Sequence, residues 1–189
     1  MFCLAPLGGG HRYSFHLPAL AVSHYFRWHE PNDPIYVAAV TFARLIASFF
    51  GCGFAPVAPG TVGSLAALPL GAAVIWFAPG ALPFVALLTT LGGLWAVHAA
   101  RVEGDPGWVV IDEVAGQWLA LAGLAHFSIG GLLAAFVLFR VLDIVKPGPV
   151  GWADRQHGAA GIMADDVIAG AIAAAILWAV QNRWPDILG

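Results

Sequence analysis

Six of the eleven acidic residues in this 189-residue chain fall into three short clusters: Asp112 and Glu113 in VVIDEVAGQ, Asp143 and Asp154 in FRVLDIVKPGPVGWADR, and Asp165 and Asp166 in GIMADDVIAG. Each adjoins an apolar run, where a carboxylate is expensive unless it is paired, hydrated or bound to a cation. A shared divalent ion would account for all three. Donors that are all oxygen suit a hard cation, Mg²⁺ in preference to zinc. On a helix, Glu113, Gly116 and Gln117 fall at i, i+3 and i+4, and Arg140, Asp143 and Lys146 recur every three residues until Pro147. The second set reads as a plus, minus, plus face able to hold a phosphate against a metal. Taken singly, the clusters have plainer readings. Asp112, Glu113, Asp165 and Asp166 fit helix starts, with the last two favoured there by the helix dipole, and Arg140 with Asp143 fits a structural ion pair.

A second feature is GCGFAPVAPGTVGS, residues 51 to 64, with four glycines and two prolines between apolar segments. So many helix breakers read as a loop. Its glycines would let backbone N–H groups approach a ligand, and Thr61 and Ser64 offer hydroxyl donors. It lacks the Gly-Lys-Ser/Thr of a nucleotide-binding loop. Position 58, six after Cys52, is Ala and not the Arg of a cysteine-phosphate mechanism, and no Asp-x-Asp supplies an aspartyl nucleophile. Water activated by a metal remains as the phosphatase chemistry these residues permit.

The elements that must position these groups are apolar. The chain is 60% hydrophobic and 10% charged, with mean hydropathy +0.81, against about 25% charged residues in an ordinary soluble domain. This predicts a membrane protein, all-α, a compact bundle of short apolar helices. Candidate helices cover 35 to 50, 65 to 78, 81 to 100, 114 to 142 with a break at 128 to 131, and 166 to 181. Several are nearer 14 residues than the roughly 20 of a full span. The net charge of −3 with scattered basic residues gives no footprint for nucleic acid. Cys3 and Cys52 are too few for a disulfide framework. Residues 1 to 34, with His11, His16, His24 and His29, read as a poorly ordered extension preceding a domain over 35 to 189. His98, His126 and His157 read as structural. Arg140, Lys146 and Arg155 place the 140 to 155 loop on the cytoplasmic side.

GCGFAPVAPGTVGSLAALPLG, DPGWVVIDEVAGQWLAL, FRVLDIVKPGPVGWADR and GIMADDVIAG together resemble, in this order, the phosphatidylglycerophosphatase A family over roughly residues 37 to 180. The resemblance implies a Mg²⁺-dependent phosphatase of the bacterial inner membrane, facing the cytoplasm, that converts phosphatidylglycerophosphate to phosphatidylglycerol. On this chain it implies Asp112, Glu113, Asp143, Asp165 and Asp166 as Mg²⁺ ligands, and Asp112, Glu113, Asp143, Arg140 and Lys146 as the catalytic set. Gly60, Thr61, Gly63, Ser64, Arg140 and Lys146 would contact the substrate, and Asp154 would support the ligands. Membrane lipids are the expected surroundings, and a homo-oligomer stays open. The competing reading is a transporter or channel with a carboxylate-lined site.

Overall fold

The computed structural model describes residues 34–188. Among them the chain forms seven α-helices and two short 3-10 turns, with no strand. In chain order the helices are α1 Pro34–Ala47, α2 Pro59–Phe77, α3 Leu82–Ala99, α4 Ile111–Leu121, α5 Ile129–Val145, α6 Pro149–Asp154 and α7 Gly158–Arg183. The all-α expectation holds. The N-terminal extension, with Cys3 and its four histidines, lies outside the described residues except for Pro34, which opens α1.

The shortest of the long helices sits at the centre. α4 buries Ile111, Asp112, Val114, Ala115, Gly116, Gln117, Ala120 and Leu121, and packs against α2, α3, α5 and, most extensively, α7. Glycine makes the α4–α7 contact close. A Cβ on Gly170 would stand 2.3 Å from the Gly116 carbonyl oxygen, and one on Gly116 2.5 Å from the Asp166 carbonyl oxygen. Only backbones without side chains meet at that distance, and this contact carries Asp166 to the α4 carboxylates. Trp118 Nε1 donates to Ala67 O at 2.9 Å and ties α4 to α2. One apolar cluster, including Val97, Val110, Val114 and Met163, supports the acidic end. Another, including Leu82, Leu121, Phe139 and Leu177, fills the other end.

Among the described residues, three helices are long and apolar enough to cross a membrane: α2 with 19 residues, α3 with 18 and α7 with 26. Their outward faces are greasy, with Trp76, Phe84, Leu88, Leu91, Trp95 and Trp178 exposed. A surface of that kind is costly in water and favourable in hydrocarbon.

Four local expectations need correction. The stretch 51 to 64 is not all loop: α2 begins at Pro59, so Gly60, Thr61, Gly63 and Ser64 are helical. Pro59 at the first helical position is preset for the helix, Ala58 turns the chain with φ 46°, and the glycines are accepted because neighbours press on them. This extends the segment begun at 65, and α7 likewise extends back to Gly158, so both pieces are full-span length. Asp165 and Asp166 therefore lie about two turns inside α7, beyond the reach of a first-turn dipole effect. Lastly, α5 ends at Val145 and Lys146 is left-handed (φ 50°, ψ 53°), which takes it off the Arg140–Asp143 face.

Candidate metal and phosphate site

Asp112 and Glu113 stand in the first turn of α4, after an N-cap, Val110, that makes no side-chain cap. Asp112 Oδ1 accepts from the Glu113 N–H at 3.1 Å, a modest local contact. Glu113 leans over α2, where a Cβ on Gly60 would be 2.0 Å from Glu113 Oε1 and 3.6 Å from Arg140 Nη1. Gly60 thus admits the carboxylate to the α2 backbone. A Cβ on Gly63 would meet the Val110 side chain at 2.9 Å, so that glycine serves packing of α2 on the start of α4. Ser64 is fully buried and its hydroxyl donates to Gly60 O at 3.0 Å, within its own helix.

The five carboxylates form two overlapping groups. One ligand oxygen each from Asp112, Glu113 and Asp166 lie within 4.8 Å of one another, and so do those of Asp143, Asp165 and Asp166. Asp166 belongs to both. Two cations stand around them: Arg140 Nη1 is 2.6 Å from Asp143 Oδ2, and Lys146 Nζ donates to Asp165 Oδ2 at 2.8 Å and to Asp154. Arg140 Nη2 also reaches Thr61 Oγ1 at 3.5 Å, the outer limit of a hydrogen bond. Asp154, expected as a supporting residue, touches Lys146.

Asp112 is held well above the ordinary carboxylate range, first by burial and then by repulsion from Glu113 and Asp166. Glu113 is raised as well, because burial outweighs its hydrogen bonds and the attraction of Arg140. Burial alone would lower the Lys146 ammonium, but its hydrogen bonds with Asp154 and Asp165 reverse the direction and raise it.

At this end Glu113 Oε2, Asp166 Oδ1, Arg140 Nε and both amide atoms of Gln117 are buried without a hydrogen-bond partner, whereas the far end leaves Gln181 Nε2 so. Each such atom costs about 1–3 kcal/mol, more when charged. Crowded carboxylates with unpartnered oxygens and an all-oxygen donor set fit a hard divalent cation, which would offset both the repulsion and the desolvation.

The phosphatidylglycerophosphatase A family matches residues 45–181 of this sequence, a range that contains all of these groups. The chain belongs to that family. Phosphatidylglycerophosphatase A of Escherichia coli (strain K12) is 41% identical over 151 residues, covering 75% of this chain and 85% of the relative. The Haemophilus influenzae phosphatidylglycerophosphatase A is 36% identical over 156 residues, covering 79% and 96%. A Bacteroides thetaiotaomicron protein named putative phosphatidylinositol-3-phosphatase is also 41% identical, over 156 residues covering 74% and 92%. No solved structure matches.

The two phosphatidylglycerophosphatase A relatives share most of this chain, and so does a protein named for a different headgroup. Residue-by-residue reading gave no role to Asp105. Its carboxyl is raised, first by burial and then by repulsion from Asp165, with Lys146 opposing and Asp154 and Asp143 adding. The residue is exposed overall and lines a cavity shared with Asp154 and Asp165. Asp105-Pro106-Gly107 has the composition of a turn, and nothing in its spacing connects it to residues 38 or more positions later.

Proposed function

We propose that the chain is a Mg²⁺-dependent lipid phosphatase of the bacterial cytoplasmic membrane that hydrolyses the terminal phosphate monoester of phosphatidylglycerophosphate. The observation that carries this reading is Asp166 at the intersection of two carboxylate groups, one of which contains Asp143, the ion-pair partner of Arg140, in a chain of this family. Asp112, Glu113, Asp143, Asp165 and Asp166 would hold Mg²⁺. When bound, Mg²⁺ supplies Lewis acidity toward a phosphoryl oxygen and makes a water easier to deprotonate. Arg140 offsets charge developing on the phosphoryl oxygens, and Thr61 at its guanidinium orients them. Gly60 leaves room for that approach by admitting the Glu113 carboxylate to the α2 backbone, Gly63 lets α2 pack on Val110 at the start of α4, and Ser64 fixes the helix turn from which Thr61 projects. Lys146 acts through Asp165, which it holds in place together with Asp154. Glu113 Oε2, buried and unpartnered, is the atom suited to take the proton of the attacking water and return it to the departing alcohol.

The apolar faces of α2, α3 and α7 support a membrane setting, and the basic residues from Arg140 to Arg155 support a site at the cytoplasmic headgroup layer. A transporter or channel is the weaker reading, since no observation of the molecule favours it over the family's chemistry. The test is phosphate release from phosphatidylglycerophosphate in mixed micelles. Release should stop in EDTA and return with Mg²⁺. Undiminished release in EDTA would remove the metal from the account, and absence of release from this lipid under all conditions would remove the substrate.

A further inference from the structure

Next to the carboxylates lies a cavity of about 350 Å³, lined by Asp105 from the α3–α4 connection, Asp154 and Gln156 at the end of α6, His157 just before α7, and Gly161 and Asp165 in the first turns of α7. Asp165 belongs both to this wall and to the group around Asp166, so the cavity adjoins the proposed phosphate site. Its charge decides what it can take. No lysine or arginine lines it, and Lys146, the nearby cation, is engaged by Asp154 and Asp165. A second phosphate there would meet the Asp105 carboxylate, which no cation in the lining offsets, and no free positive charge to hold it. A neutral polyhydroxyl group meets the opposite situation, because every hydroxyl can donate to a carboxylate in a charge-assisted hydrogen bond.

The headgroups named for the relatives share this layout: a phosphate monoester on an alcohol that is joined to the lipid through a phosphodiester. Two relatives of equal identity to this chain are named for different alcohols, glycerol and inositol. Groups that hold only the phosphate cannot tell these apart. We propose that this cavity receives the hydroxyl-bearing linker alcohol of the substrate, with the phosphodiester turned outward, and that Asp105, Gln156 and His157 select the headgroup. This rests on the lipid phosphatase reading and adds an orientation and a specificity determinant to it. Asp105 can accept from a linker hydroxyl. Gln156, whose Nε2 donates to Trp152 O at 3.1 Å, keeps its amide oxygen free to accept as well.

The test compares phosphatidylglycerophosphate with an analogue whose linker glycerol carries hydrogen in place of its free hydroxyl, in the same micelles with Mg²⁺. Wild-type protein should favour the hydroxylated lipid in kcat/KM by about ten- to a hundred-fold, the range expected for one hydrogen bond to a charged group. Asp105→Ala and Gln156→Ala together should bring that ratio toward one, with unchanged thermal melting because both side chains are exposed. A wild-type ratio near one would overturn the inference, as would a ratio preserved in the double variant. If wild type hydrolyses neither lipid, the lipid phosphatase reading itself fails, an outcome distinct from both.

Discussion

The two ends of the bundle differ in the buried polar atoms they leave unpartnered: a single neutral amide nitrogen, Gln181 Nε2, at one end, against a cluster that includes charged carboxylate oxygens at the other. At the end where α5 begins, Ser128 caps its helix by accepting from Gly131 N at 2.9 Å and also donates to Leu188 O. Gln181 Oε1 accepts from Ala125 N at 2.9 Å, and Trp76 meets Phe127 edge-on with ring centres 5.6 Å apart. Polar groups there tie the chain terminus and the α4–α5 connection to the bundle. At the acidic end, carboxylates repel one another, and Glu113 Oε2, Asp166 Oδ1 and the Gln117 amide lack partners. A fold stabilised only by its own contacts would not accumulate such costs, and local rules broken in one place mark function more often than accident.

If the comparison is right, the largest effects on turnover come from the acidic end with no loss of stability. Asp166→Asn, Glu113→Gln and Asp112→Asn should each reduce phosphate release by about a hundred-fold or more, with melting unchanged or raised, since each relieves buried repulsion. A melting loss that tracks the activity loss would make these residues structural. Arg140→Lys should cost about ten- to a hundred-fold in kcat, because an ammonium cannot replace the planar fork that spans Asp143 and Thr61. Full activity in that variant would take Arg140 out of the transition state.

Between the two ends, the α4–α7 contact should respond in stability first. Gly170→Ala places a methyl 2.3 Å from Gly116 O. The expected cost is about 1–3 kcal/mol, read by chemical or thermal unfolding in detergent. The smallest effect belongs to the far end: Ser128→Ala should cost about 0.5–2 kcal/mol through loss of the cap while turnover stays at the wild-type rate. A turnover defect there would blur the division between the ends.

Much of this was legible in the residues. Apolar runs gave most helices, and carboxylates in a chain 10% charged drew attention to Asp112, Glu113, Asp143, Asp165 and Asp166 because charge is costly where little else is polar. Helix starts were harder. Gly60 and Gly63 looked like breakers, but each is required by a neighbour pressing on the helix, Glu113 and Val110, and only tertiary contact shows that. Gly158-Ala159-Ala160 carries no cap signal, so α7 seemed to begin at the carboxylates it holds two turns in. Lys146 fits a three-residue period until its left-handed backbone turns it to Asp154 and Asp165. Asp105 was silent because its partners are brought to it by the fold alone.

The account stands or falls on a cation held where the two carboxylate groups share Asp166. Mn²⁺ can stand in for Mg²⁺ at an all-oxygen site and is visible by electron paramagnetic resonance. Titrated into purified protein in detergent, it should bind wild type saturably, be displaced by excess Mg²⁺, and bind Asp166→Asn about a hundred-fold more weakly or not at all, while that variant keeps its fold. Equal Mn²⁺ binding by wild type and Asp166→Asn, or phosphate release from a wild type that binds no Mn²⁺ or Mg²⁺, would contradict it.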